Sequence, residues 1–348
     1  MLNRLLLDTQ RPWNLIRQCP SYAPTPLHTL PTPIGAQLLI KDETSRFNLG
    51  AFKALGGIYA VAAFLLDRWQ AESGSALDAR KLFEEPLQTW WQRFTFVCAS
   101  AGNHGIAVAK GAQLFNAKCR VHLADTVPES FAIKLRSLNA DVIRSGEIYG
   151  DSMRAARDEC ENGEPDRILL ADSSWPGYLK VPTLVMEGYT VMAEEMRQHF
   201  LAVNNWPSHV FLQAGVGGMA AAIAFHIRQH WDTQPQIIVV EPDAAPCLFE
   251  SNKRGKLTTV QGPVSSMGRL DCKEPSLLAF SALQQYADKF VCIGESDAAA
   301  AVTYLDERGV ATTPSGAAGV AAILLAKQLG ISLSGESTCL AIATEGRG

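Results

Sequence analysis

The feature that most limits what this chain can fold into is a strand–turn–helix unit that recurs along its length. A strand is predicted at 94–98, then a glycine-containing turn, a helix over 104–114 and a strand at 118–123. Helices near 130–138 and 151–160 lead into strands at 141–144 and 168–171. Strands alternating with helices of this length require right-handed crossovers and parallel pairing. A second run has a helix over 183–200, a strand at 210–213, a helix over 219–230 and a strand at 237–240. After an irregular stretch over 243–274, helices near 277–287, 296–308 and 316–329 precede a closing strand at 340–343. A strand at 38–40 near the chain start lets the N-terminal segment join this second run. The expectation is an α/β protein of two open, twisted parallel-sheet domains. Residues 1–85 and 183–348 would form the large domain, with a small α/β domain, 86–182, inserted. Residues 11–36 carry six prolines, which should deny the backbone regular ladders and leave an extended, wrapping arm without readable chemistry.

Composition removes several function classes. Lys+Arg of 31 against Asp+Glu of 35 offers no basic block for a phosphate backbone, so nucleic acid is not an expected partner. The apolar run Leu5-Leu6-Leu7 is too short for a signal segment, and no later run reaches membrane-spanning length, so a cytoplasmic protein is expected. The 8 cysteines are scattered without metal-ligand spacing, so no metal site is expected and most should be buried thiols.

Three loops carry the chemistry. Lys53 stands where the polar loop Lys41 to Phe52 enters an apolar helical pattern (Ile58, Val61, Ala62, Leu65, Leu66). A lysine so placed becomes a nucleophile when burial or nearby cations lower its pKa, and Schiff-base chemistry with pyridoxal 5'-phosphate (PLP) is a common use. Ala214-Gly215-Val216-Gly217-Gly218-Met219-Ala220 lies between a strand and a helix, where bare amides can close on a phosphate. Two ligands fit that cradle, because Gly215-x-Gly217-x-x-Ala220 also matches a dinucleotide fingerprint, with Glu241 as a ribose partner for an NAD(P)-dependent oxidoreductase. Ser100-Ala101-Gly102-Asn103-His104-Gly105 is a second strand-to-helix loop, whose donors could meet a substrate carboxylate or a ring oxygen, or simply make a tight turn capped by Asn103. A dehydrogenase has no need of Lys53.

These three loops, in this order, resemble the fold-type II PLP enzymes, the tryptophan synthase β and threonine dehydratase superfamily. Asp172-Ser173-Ser174-Trp175-Pro176-Gly177-Tyr178, Met186-Glu187-Gly188-Tyr189, Val240-Glu241-Pro242 and Cys272-Lys273-Glu274-Pro275 narrow the resemblance to the diaminopropionate ammonia-lyases. That resemblance implies that Lys53 holds PLP, that Gly215, Val216, Gly217, Gly218 and Met219 bind its phosphate, that Asn103 meets the ring hydroxyl and that Thr344 faces the pyridine nitrogen. It implies a homodimer acting on a small amino acid, by α,β-elimination of 2,3-diaminopropionate to pyruvate and ammonia, with Ser100, Ala101, Gly102 and His104 around the substrate. Members of this family usually have Asp where Ala101 stands, associated with the D-isomer; Asp172 matches a second carboxylate, associated with the L-isomer. The expectation is therefore a preference for the L-isomer, with Asp172 or Lys53 as base. Ala101 also makes the loop like that of the L-serine/L-threonine dehydratases, which keeps that activity as an alternative; a noncatalytic ligand-binding relative is a further one. The family's Glu-Ser-Gly-Ala is replaced by Pro314-Ser315-Gly316-Ala317, so a carboxylate near the cofactor is expected to be missing. Cys247 and Cys272 match a pair that can be bridged in the family, and reduced thiols are expected here.

Overall fold

The computed structural model describes residues 5–347. Ten strands fall into two sheets. The first holds β1 (Leu27–Pro31), β2 (Gln37–Asp42), β7 (His209–Gln213), β8 (Gln236–Pro242), β9 (Lys289–Ile293) and β10 (Thr338–Ala343), in the order β1-β2-β10-β7-β8-β9. The second holds β3 (Thr95–Ala99), β4 (Lys118–Leu123), β5 (Ala140–Arg144) and β6 (Arg167–Leu169), in the order β5-β4-β3-β6. All pairings are parallel except β1 with β2. Beside the sheets lie α1 (Gln10–Ile16), α2 (Lys53–Ser73), α3 (Glu85–Trp91), α4 (Asn103–Leu114), α5 (Glu129–Arg136) and α6 (Tyr149–Glu161). The later helices are α7 (Lys180–Val203), α8 (Gly218–His230), α9 (Cys247–Arg254), α10 (Leu277–Tyr286), α11 (Glu295–Asp306) and α12 (Pro314–Leu324). The α/β class, parallel sheets and crossovers are as the alternation requires, and neither α2 nor α7 is apolar enough to cross a membrane.

Several elements depart from the sequence reading, among them α1 and α3, which it did not give. The proline-rich arm does form a ladder: β1 pairs antiparallel with β2 from Leu27↔Lys41 to Pro31↔Gln37. The prolines permit it because β1 is an edge strand that ends on Pro31, where a missing N–H costs nothing. β9 is also an edge strand, only partly buried, so its sequence Lys289-Phe290-Val291-Cys292-Ile293 has a weak periodic signal. The stretch read as irregular contains α9, whose first turn is organised by Glu241: its two carboxylate oxygens accept from Leu248 N at 2.8 Å and Phe249 N at 2.6 Å.

Two close approaches set the position of α2. A Cβ on Gly57 would lie 2.6 Å from Ala107 Cβ on α4, and one on Gly188 would lie 2.6 Å from Leu55 O, so glycine at both places lets α2 touch its neighbours backbone to backbone. The loop before α2 is fixed by a buried charge cluster. Arg46, 1% exposed, takes Glu43 with Nε at 2.8 Å and Nη2 at 2.7 Å, and reaches Glu195 on α7 at 2.8 Å. Lys41 Nζ closes the set on Glu195 at 2.6 Å. The arm contributes after all: Tyr22 donates to Glu195 at 2.9 Å and Thr25 to Glu43 at 2.6 Å. Two cations and two carboxylates balance, so removing one leaves a bare buried charge. We predict that Arg46→Met lowers the unfolding free energy by about 3–5 kcal/mol in urea titrations; a change under about 1 kcal/mol would show that the cluster adds nothing.

Candidate active site

The site segments all leave the carboxyl ends of strands, which is where open parallel sheets bind ligands. Lys53 follows β2, the 100–105 loop follows β3, Asp172 follows β6, the glycine loop follows β7 and Thr344 follows β10. Lys53 is the first residue of α2, and the turn before it is stitched to the chain end by Phe52 N on Thr344 O at 3.1 Å and Gly346 N on Gly50 O at 2.9 Å. Its ammonium forms an ion pair with Asp172 Oδ2, the two side chains being 23% and 19% exposed. Burial is the largest influence on Lys53 and would lower its pKa, but the charge and hydrogen bond of Asp172, with Tyr189 and Cys272, together outweigh it and raise the ammonium well above its usual range. Burial likewise would raise the Asp172 pKa, but the charge and hydrogen bond of Lys53, with His104, hold it well below the usual carboxylate range. The expected depression of Lys53 is thus reversed: the lysine is held protonated beside an ionised Asp172. Phe52 and Tyr189 flank the amine, with ring centroids 5.4 Å and 5.8 Å from Nζ.

The glycine loop is a backbone surface. Gly217 has φ of +97°, and a Cβ there would lie 2.9 Å from Leu248 Cδ1; one on Gly215 would lie 2.9 Å from Cys272 Sγ. Gly218 opens α8, so the amides of Gly218 and Met219 have no partner within the helix and sit at the positive end of its dipole. Cys247 and Cys272 are free thiols here, like the other cysteines. Glu241 takes no part in ligand binding: it is wholly buried and spent on the first turn of α9, which overturns its reading as a ribose partner. Burial, opposed by those two amides, pushes its pKa up to about 8.

Around Thr344 the sequence reading missed the supporting residues. Gln213, at the end of β7, donates through Nε2 to Ile342 O at 2.8 Å and to Thr344 Oγ1 at 3.3 Å. Glu345 supplies a buried carboxylate close to the place where one was expected to be missing: it accepts from Thr313 Oγ1 at 2.7 Å and from Asn103 Nδ2. Asn103 is therefore not the cap of α4, whose N-cap is Gly102. Arg269 stands 3.6 Å from Glu345 and donates to Ala101 O at 3.1 Å, tying the 100–105 loop to the last strand. Ser100 shapes that loop by accepting from Gly102 N at 3.2 Å and Gly105 N at 3.0 Å. His104 is buried below it and donates from Nε2 to Leu170 O at 2.8 Å, while its Nδ1 has no hydrogen-bond partner among the described residues.

A buried lysine beside a carboxylate, a bare-amide cradle at a helix start and a hydroxyl at the end of the central strand together define a site of the PLP-binding class. The match to the family described as "pyridoxal-phosphate dependent enzyme" runs over residues 19–345, and the chain belongs to that family. It is 30% identical to the diaminopropionate ammonia-lyase of Escherichia coli strain K12, over 93% of this chain and 85% of that one. To the Salmonella typhimurium diaminopropionate ammonia-lyase it is 33% identical, over 79% of this chain and 70% of that one. The crystal structure of the E. coli enzyme in complex with an aminoacrylate-PLP azomethine intermediate superposes with a TM-score of 0.84 at 29% identity, covering 99% of this chain and 91% of that one. The cofactor is PLP, and the residues present fit it: Lys53 offers the amine, the Gly215–Met219 backbone an anion cradle, and Thr344 a hydroxyl. Gly217→Ala places a side chain in a left-handed conformation and against Leu248, and we predict an approximately 10-fold or greater loss of PLP affinity in equilibrium dialysis. An unchanged affinity would remove the loop from the cofactor site.

Proposed function

We propose that this chain is an ammonia-lyase that converts L-2,3-diaminopropionate and water to pyruvate and two molecules of ammonia. The observation that carries the reading is the pairing of Lys53 with Asp172 while an alanine, Ala101, occupies the loop on the substrate side. PLP, when bound, is the electron sink for the reaction. Lys53 would hold the cofactor, and the amides of Gly215, Val216, Gly217, Gly218 and Met219 would anchor its phosphate. Thr344 accepts from Gln213 and so keeps its own proton to donate, which suits an unprotonated pyridine nitrogen. Asn103, held by Glu345 here, would meet the ring hydroxyl, and the amides of Ser100, Ala101, Gly102 and His104 would receive the substrate carboxylate at the start of α4. Asp172 takes the Cα proton; the electron pair left behind forms the Cα=Cβ bond as the β-ammonium departs with the Cβ–N pair as ammonia. With no carboxylate at Ala101, the opposite face has no base.

The remaining readings follow from the same frame. We propose a large domain of residues 1–85 and 183–348 carrying the six-stranded sheet and a small one of 86–182 carrying the four-stranded sheet, with PLP between them. We propose a homodimer in the cytoplasm; the free cysteines suit a reducing compartment. An L-serine/L-threonine-type dehydratase is the second reading, favoured by Ala101. The test is pyruvate and ammonia release from L- and D-2,3-diaminopropionate, L-serine and L-threonine, beside Lys53→Ala. Two ammonia per pyruvate from the L-diamine is expected, with turnover of the D-isomer at least about 100-fold lower and none from the Lys53 variant. Equal turnover of the two isomers would contradict the role given to Ala101, and activity on hydroxy amino acids alone would establish the dehydratase.

A further inference from the structure

His104 is the second residue of α4, and its imidazole is 6% exposed. Leu170 O lies 2.8 Å from Nε2, and a carbonyl oxygen can only accept, so the ring proton sits on Nε2. Nδ1 is then a bare lone pair, buried with no hydrogen-bond partner among the described residues. Asp172 Oδ2 lies 4.0 Å from it. A lone pair facing an ionised carboxylate makes no bond, and burying an unpaired acceptor is costly. Burial first, and the Lys53 charge as well, disfavour a second proton on the ring in spite of the pull of Asp172, so protonating the ring is not how the cost is met.

The arrangement acquires a hydrogen bond in one circumstance, when Asp172 itself carries a proton. We infer that His104 is a positioning residue that accepts a hydrogen bond from the protonated carboxyl of Asp172, stabilising the acid form of the base as it takes the substrate proton. This rests on Asp172 being that base. The proton balance is simple: the Cα–H pair stays with the substrate, the proton goes to a carboxylate oxygen of Asp172, and that O–H points at Nδ1. No proton moves to His104; Asp172 later passes it to the released ammonia. Oδ2 is held by Lys53, which keeps the carboxylate away from Nδ1. Once Lys53 is engaged elsewhere, Nδ1 is the acceptor left facing Asp172. The other titratable groups near Asp172 are Tyr178, Tyr189, Cys98 and Cys272, whose pKa values are raised chiefly by burial, and the exposed Tyr149, whose pKa is also raised, so they stay uncharged near neutral pH. Lys53 is the remaining charge.

Two substitutions separate the two ring nitrogens. His104→Gln keeps an amide donor for Leu170 but loses the acceptor at Nδ1, whereas His104→Asn keeps an acceptor at Nδ1 and loses the Leu170 bond. The measurement is the pH profile of kcat and KM for the PLP-loaded enzyme with L-2,3-diaminopropionate, protiated and deuterated at Cα, alongside thermal unfolding. Losing the acceptor makes the acid form of Asp172 less stable and the base weaker. For His104→Gln we expect kcat to fall about 10-fold or more, with KM within about threefold, a larger isotope effect and an acid limb moved to lower pH. His104→Asn should recover most of that loss even where it is the less stable protein. Equal losses in the two variants, a greater loss in His104→Asn, or an unmoved acid limb in His104→Gln would overturn the inference and leave His104 a structural residue. Asp172→Asn is measured in parallel: if it keeps near-parent turnover of the L-isomer, the base assignment itself fails, whatever the His104 variants do.

Discussion

The ion pair between Lys53 and Asp172 is the contact on which the site depends. It joins the first residue of the helix that follows β2 to the segment that follows β6, so it brings two separate parallel sheets to one point. It also fixes protonation. A half-shielded lysine alone would lose its proton more readily than one in water, whereas beside Asp172 it keeps it. The pair is neutral as a unit, which lets both groups sit in a partly dehydrated cleft.

That geometry is held by packing well away from the reacting atoms. Glycines at 57 and 188 let α2 lie against α4 and α7, and the Arg46 cluster pins the loop that delivers Lys53 to the same α7. Gln213 and Glu345 set the hydroxyl of Thr344 and the amide of Asn103. Each is a polar group whose partners lie on other elements, so the cleft is held from several directions.

How much of this was legible in the sequence follows from the range of the interactions. The crossover strands and helices were readable because buried parallel strands and amphipathic helices impose period and turn chemistry on neighbouring residues. Lys53, the two glycine-containing loops and Asp172 were readable as motifs because their functions demand particular residue types in short stretches. β1 and β9 were not, since edge strands are half covered and tolerate proline or mixed polarity. Glu241 misled because a carboxylate at a strand end can serve a ribose or a helix start, and only the fold shows α9 beginning beneath it. Glu345 and Asn103 are 242 residues apart, and Arg46 and Glu195 are 149 apart, so no local pattern could report either contact. The unpaired Nδ1 of His104 likewise depends on Leu170, 66 residues away, fixing the tautomer.

We propose that the Asp172 carboxylate holds Lys53 protonated. The most direct measurement is the rate at which cofactor-stripped protein takes up PLP, followed by the absorbance of the bound cofactor across pH, for the parent and for Asp172→Asn. With its carboxylate partner gone, the buried lysine should lose its proton more readily, so the variant should take up PLP readily at a lower pH than the parent. Superimposable pH dependences for the two proteins would contradict the claim.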